Sequence, residues 1–382
     1  MPESLPPDLV ALRDRVRDFV EEIRPLEHDL HEGAPVPEEV RREVRERSKA
    51  LGLFGMTQPE PVGGSAAGPL AMTVARETLA AGNTTLSRFV FGPDPGMLRH
   101  AEGEQRARYL DPVLAGDRAG AFAFTEPSGP NAPARPTWAT RAGDDLIVTG
   151  GKTFVSGGGS ADFYATLVNI DAEGDLPGGA AMVLIDRDTP GVTVTREFRS
   201  LEGGSHIDLS FEGVRVPAAN ILGDVGEGMP RALGNIQEER LASAANACGI
   251  AIWTTEYVTR HIMGGHRSGA RLADREGVRL RYSDLRIDTY AMRAMLYRTA
   301  RIVEAGDEAI NEVSAAKVFC TEGASRIVDT AVQLVGGQAL IEGHPLERLY
   351  RRVRSSRIGG GASDILRLNV ARGVIEFGSG RL

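Results

Sequence analysis

Two stretches hold the side chains and backbone with most chemistry to offer. "GNIQEERLASAANACGIAI" (234–252) sets Glu238, Glu239 and Arg240 at the head of an apolar-periodic run. Asn235 and Glu238 have a spacing close to a capping box, which leaves Glu239 unexplained by capping. Taken alone, Glu239 reads either as an ordinary acid favoured near a helix start or as a carboxylate able to take a proton. Arg240 alone reads as half of a Glu–Arg surface pair, which is worth little. The second stretch, "IGGGASDILR" (358–367), puts three glycines just before a run that should be the last helix. Such glycines cost backbone entropy, and an unusual turn or a close approach to the backbone justifies them.

The elements that must position these groups fall into three segments. Leu9, Leu12, Val16, Phe19 and Ile23 recur at three- and four-residue spacing, so residues 1–119 are expected to form an α-helical domain. From about Gly120 the runs become short and β-branched or aromatic, separated by Gly, Pro and Asp turns, which predicts a compact antiparallel β domain over 120–226. Long helical patterns return over 227–382, with breaks at "MGGHRSGARLADREG", "EAGDE" and "VGGQALIEGHP". The fold class is thus α+β and multidomain.

Composition narrows the function. The 382 residues carry a net charge of −8 with acids and arginines mixed, which argues against nucleic acid as the main partner. Only Lys49, Lys152 and Lys317 are lysines among 44 basic residues, which reads as a coding bias. Cys248 and Cys320 lie in apolar helical stretches, as buried reduced thiols of a cytoplasmic protein would. The start lacks the order of a signal peptide, and no apolar run approaches a membrane span. Metal-ligand spacing, a Walker loop and a G-x-S-x-G elbow are absent from the sequence, so no metal is expected.

Five motifs recur in a fixed order: "GAFAFTEPSGPNA" (120–132), "VTGGKTFVSGG" (148–158), "LSFEGVRVPAANILGDVGEGM" (209–229), "AVQLVGGQAL" (331–340) and "IGGGASDILRLNVAR" (358–372). With them the chain resembles the acyl-CoA dehydrogenase family from about residue 8 to its end. The resemblance implies an N-terminal helical domain, a middle β-barrel-like domain and a C-terminal four-helix bundle. It also implies FAD, a homotetramer or dimer, electron-transfer flavoprotein as acceptor, and oxidation of an acyl thioester to its α,β-enoyl form. A proton leaves Cα while a hydride leaves Cβ for the flavin, and the thioester carbonyl must be polarised by hydrogen-bond donors.

By the same resemblance, Phe122, Phe124, Thr125, Phe154 and Ser156 lie along the flavin, although the phenylalanines also alternate as strand core residues would. Gln333, Gly336 and Gly337 match a segment that reaches a neighbouring subunit's FAD; Gly336 and Gly337 would equally end a helix. Many members carry their catalytic glutamate at the position of Gly360. The isovaleryl-CoA and long-chain branches place it in an E-R-L motif instead, and Glu239 stands at that position. Glu239 is therefore the expected base, Gly360 supplies a backbone N–H to the carbonyl, and Arg240 and Gly361 face the substrate. The pattern departs in three places. Asn131, expected against flavin and substrate, replaces a serine; Arg267 stands where an R-x-x-F-G motif has no phenylalanine; Ala362 and Asp364 occupy a T-S-Q cofactor motif, where Asp364 would instead cap the last helix. These departures suggest an unusual substrate, such as a carrier-protein thioester. A flavin-dependent monooxygenase or oxidase on the same fold, needing no carboxylate base, and a homologue that has lost catalysis are the alternatives.

Overall fold

The computed structural model describes residues 4–28, 30, 35–128, 134–266 and 268–378. Its elements run, in chain order, through helices α1 (Pro7–Ile23), α2 (Glu38–Ala50), α3 (Pro69–Ala81) and the short α4 (Gly103–Gln105) and α5 (Asp111–Ala115). Strands β1 (Gly120–Ala123), β2 (Trp138–Ala142), β3 (Asp145–Ser156), β4 (Phe163–Ile170), β5 (Gly179–Asp186), β6 (Val192–Arg199), β7 (Ser205–Pro217) and β8 (Ile221–Leu222) follow. Then come α6 (Gly228–Met263), α7 (Glu276–Glu304), α8 (Ile310–Val335), α9 (Pro345–Ser356) and α10 (Ser363–Ile375). Two compact units result: one of residues 1–57, 64–92 and 237–382, the other of 58–63 and 93–236.

The helical unit follows the 3.6-residue period. All five apolar positions expected of α1 are buried, and Pro7 opens it where a missing N–H costs nothing. α8 buries Val313, Ala316, Cys320, Ala324, Ile327, Val328 and Ala331 along one stripe and packs against α7, α9 and α10. The expected C-terminal helical bundle is therefore present, built on three long helices and two shorter ones.

The β unit is one eight-stranded sheet in the order β6–β7–β3–β2–β4–β5–β8, with β1 also paired to β4. It departs from the expected all-antiparallel sheet. β1 pairs β4 in parallel at Phe163–Thr166, and β2 pairs it in parallel at Asn169 and Ile170. β5 occupies the other edge of β4 along its whole length. The same edge of β4 is thus occupied first by β1 and then by β2.

The sheet also has two apolar faces at its centre. Tyr164, Val168 and Ile170 of β4 enter one core, while Phe163, Ala165 and Leu167 enter another with Met97, Leu98, Tyr109 and Leu110. Period-two alternation sends successive side chains to opposite faces. The second face needs a cover, and residues 96–110 provide it, which is why 93–119 group with the sheet although their local pattern is helical. Among the described residues no helix is long and apolar enough to cross a membrane, and no cluster of His, Cys, Asp or Glu is arranged to hold a metal ion.

Candidate active site

Within the β unit, residues 124–126 are held to Thr137 and to strand β3 through an ion pair whose lysine is buried. The Lys152 ammonium, with no exposed surface, donates to the Glu126 carboxylate and to the Phe124 carbonyl at 3.3 Å. Thr137 donates to Glu126 from its backbone N–H (3.2 Å) and its hydroxyl (3.0 Å). Burial pushes Lys152 below the ordinary lysine range, with Glu126 opposing it. This staple leaves Thr125 exposed, and its carbonyl accepts the Thr153 N–H at 2.9 Å. The two motifs that hold Thr125 and Phe154 therefore run side by side. Phe122 and Phe124 stack at 5.6 Å between centroids, half-buried at the edge of the core that residues 96–110 complete.

Phe154 is 60% exposed and has φ +54°, a conformation that bulky residues rarely adopt. Its cause lies in the ladder. The β3–β7 register gains one residue between Lys152 and Val155, and this bulge re-aims Phe154 outward. Asp208, on the strand opposite, fills the bulge. It accepts from the Thr153 hydroxyl at 2.5 Å, the Phe154 N–H at 3.4 Å and Arg196 Nε at 2.8 Å. Burial opposes the charge on Asp208, yet these donors hold its carboxyl below the usual range. The Phe154 ring meets Phe198 edge-on at 5.3 Å, and the exposed Ser156 hydroxyl is 3.1 Å from His206 Nδ1. An exposed, strained aromatic flanked by the exposed Thr125 and Ser156 suits a flat ring with polar edges, so these residues fit the flavin that the family resemblance implies.

Within the helical unit, the glycine loop is tied to two helices. Arg240 Nε of α6 donates to the Gly360 carbonyl at 2.8 Å, and Lys317 Nζ of α8 donates to the Gly361 carbonyl at 2.8 Å. Arg240 is 8% exposed and Lys317 has no exposed surface. Burial lowers the Arg240 pKa, with Glu239 opposing. Burial, with the Arg240 charge adding to it, brings Lys317 down to about 8. Gly360 and Gly361 have φ of +66° and +109°, so the expectation of an unusual turn holds. Among the described residues, the N–H groups of Gly360, Gly361 and Ala362 have no acceptor in the chain.

Glu239 is exposed beside the buried Arg240. α6 begins at Gly228, seven residues before Asn235, so neither Glu238 nor Glu239 lies in a first turn and the capping arrangement does not form. Ala362 is the N-cap of α10, with no side-chain cap. Asp364 does not cap either: its side chain is 92% exposed and pairs with Arg367 at 2.9 Å, because it falls inside the first turn. Gly336 ends α8, its N–H on the Val332 carbonyl at 2.9 Å, with Gly337 and an exposed Gln333 beside it. The structure brings Arg240, Gly360 and Gly361 together in one unit, and Thr125, Phe154 and Ser156 in the other. Asn131 and Arg267 lie outside the described residues.

Sequence patterns passed over Lys152, Glu126, Asp208 and Lys317. One signal was available: a chain that uses arginine almost throughout retains three lysines, and two of them are these buried ones.

Models of the acyl-CoA dehydrogenase N-terminal, middle and C-terminal domains match residues 6–117, 121–214 and 226–375. An acyl-CoA dehydrogenase of Bacillus subtilis is 30% identical, covering 95% of this chain and 97% of its own. A 3-(aryl)acrylate reductase of Clostridium sporogenes is 27% identical over 96% and 98%. The crystal structure of a probable acyl-CoA dehydrogenase from Mycobacterium abscessus superposes with a TM-score of 0.81 at 28% identity, covering 96% of this chain and 98% of that one. A stapled aromatic shelf, a clamped glycine loop and matches along nearly the whole length lead to one conclusion: the chain belongs to the acyl-CoA dehydrogenase family, whose members are flavoprotein oxidoreductases.

Proposed function

We propose that the chain catalyses FAD-dependent α,β-dehydrogenation of an acyl thioester, with Glu239 taking the Cα proton. The Arg240–Gly360 hydrogen bond carries this reading. It ties the turn of α6 that bears Glu239 to the loop where other family members keep their carboxylate. Gly360 has no side chain to take a proton, and Glu239 is the adjacent exposed acid. Bound FAD would supply the acceptor for the hydride that leaves Cβ. Phe122, Phe124, Thr125, Phe154 and Ser156 would hold the ring, while Gln333, Gly336 and Gly337 would reach the FAD of a neighbouring subunit, as the family resemblance implies. The free N–H groups at 360–362 would polarise the thioester carbonyl, which makes the Cα–H acidic.

The acceptor for the electrons is an electron-transfer flavoprotein, as the family resemblance implies. The exposed apolar residues Leu280, Ile287 and Tyr290 on α7 and Leu368 on α10 support a homo-oligomer, and the two free buried cysteines support a reducing, cytoplasmic setting. A second reading runs the same site backwards, adding hydrogen across an enoyl double bond; the reductase relative from Clostridium sporogenes favours it.

Anaerobic stopped-flow bleaching of the holoenzyme across short, branched, long and aromatic acyl-CoAs tests both directions, with enoyl-CoA reoxidation of reduced enzyme as the reverse arm. Glu239→Gln should retain FAD and lose 10²- to 10⁴-fold in bleaching rate, about the range of general-base catalysis. Turnover unaffected by Glu239→Gln would rule out this base and favour flavin-dependent oxygenation.

A further inference from the structure

We propose that Lys317 is a positioning residue of the thioester site, holding the Gly361 carbonyl so that the backbone donors of the glycine loop face the substrate. This inference rests on the dehydrogenase reading and extends it to a residue that touches neither substrate nor flavin. A trans peptide is planar, and its C=O and N–H point in opposite directions. Fixing the Gly360 carbonyl on Arg240 therefore aims the Gly361 N–H away from α6, and fixing the Gly361 carbonyl on Lys317 aims the Ala362 N–H away from α8. Both carbonyls are taken by cations, and the N–H groups of 360–362 have no acceptor among the described residues. With φ of +66° and +109°, the two glycines have wide conformational freedom, so an external clamp must select one arrangement.

The identity of the residue supports the same role. Lysine is nearly absent from the chain, yet one stands here without any exposed surface. An ammonium is a compact point charge that ends in a small site, whereas a guanidinium is a wide planar fork. A purely structural purpose would be served better by an apolar side chain, since the charge is desolvated and pairs with a neutral carbonyl.

The test uses holoenzyme carrying Lys317→Met, with Lys317→Gln as a variant that keeps a shorter neutral donor. The measurements are kcat and KM for an acyl-CoA that bleaches the parent enzyme, melting temperature, and amide hydrogen exchange in the peptide spanning 357–366. Lys317→Met should lower kcat by about ten- to a hundredfold, as a misplacement on the order of 1 Å does. KM should stay within about twofold, the melting temperature at pH 7 should not fall, and exchange at 360–362 should accelerate. Lys317→Gln should fall between the two. Unchanged kcat in both variants, or a loss in KM alone, overturns the proposal. If no thioester bleaches the parent enzyme, the dehydrogenase reading fails instead. Hydrogen exchange then still decides: unaltered exchange of the loop in Lys317→Met shows that Lys317 does not hold it.

Discussion

Lys317 has an energetic signature that stability measurements can read without any substrate. Its ammonium would titrate at an ordinary value of 10.5 in the unfolded chain, and burial brings it to about 8 in the fold. Between those values the unfolded chain binds a proton that the folded chain does not, so stability rises with pH across that window. At 1.36 kcal/mol for each pH unit, the folded protein carries a penalty of roughly 3 kcal/mol below pH 8 that disappears near pH 10.5. Lys317→Met removes the penalty but strands the Gly361 carbonyl, at about 1 kcal/mol. The variant should therefore be about 2 kcal/mol more stable at pH 7 and about 1 kcal/mol less stable at pH 10.5, crossing near pH 10. An unfolding entropy of about 2.1 cal/mol/K per residue, over 382 residues, converts 2 kcal/mol to roughly 3 °C. Thermal melts of both proteins at half-unit steps from pH 7 to 10.5 measure the difference, in which all other titrating groups cancel. A difference that stays flat with pH would refute a desolvated ammonium at this site.

The glycine loop predicts an ordered pair of substitutions. Gly360→Ala meets only Arg240 Cγ at 3.9 Å and should cost about 1–2 kcal/mol for its positive φ. Gly361→Ala would lie 3.0 Å from Leu366 Cδ2 and 3.2 Å from Arg240 Nη2, so its cost should be larger, about 3 kcal/mol, as read from paired melts. In the β unit, Asp208→Ala removes the acceptor that organises the Phe154 bulge. It should cost about 1.5–3 kcal/mol and weaken FAD retention on gel filtration about tenfold, whereas unaltered retention would separate the bulge from the cofactor.

How much of this was legible depends on the range over which each feature is encoded. The stripe of α1 and the alternation along β4 are written in neighbouring residues, and periodicity alone recovers them. The cover of 96–110 over the sheet is not local, because its need arises only when β4 and β5 pair and expose a second apolar face. The clamp on the loop joins residues 120 and 44 positions apart, beyond any spacing rule. The E-R-L motif singles out Glu239 for the proposed base, and the capping reading of Asn235 and Glu238 failed because α6 starts two turns earlier than that reading requires. Lysine counts carried more than they were credited with. Of Lys49, Lys152 and Lys317, the two buried ones are the lysine that pairs with Glu126 in the β unit and the lysine that holds the Gly361 carbonyl in the helical unit.

Position 360 has a consequence for where this fold can carry an acid. A Cβ placed there meets only Arg240 Cγ at 3.9 Å, so the barrier to its attachment is the left-handed backbone, which aspartate and asparagine tolerate better than most residues. A carboxylate at 360 would therefore cost the fold little more than the strain of its backbone. On the proposed assignment of the base to Glu239, Gly360→Asp offers an engineer a second place for an acid without touching the helix that carries the first.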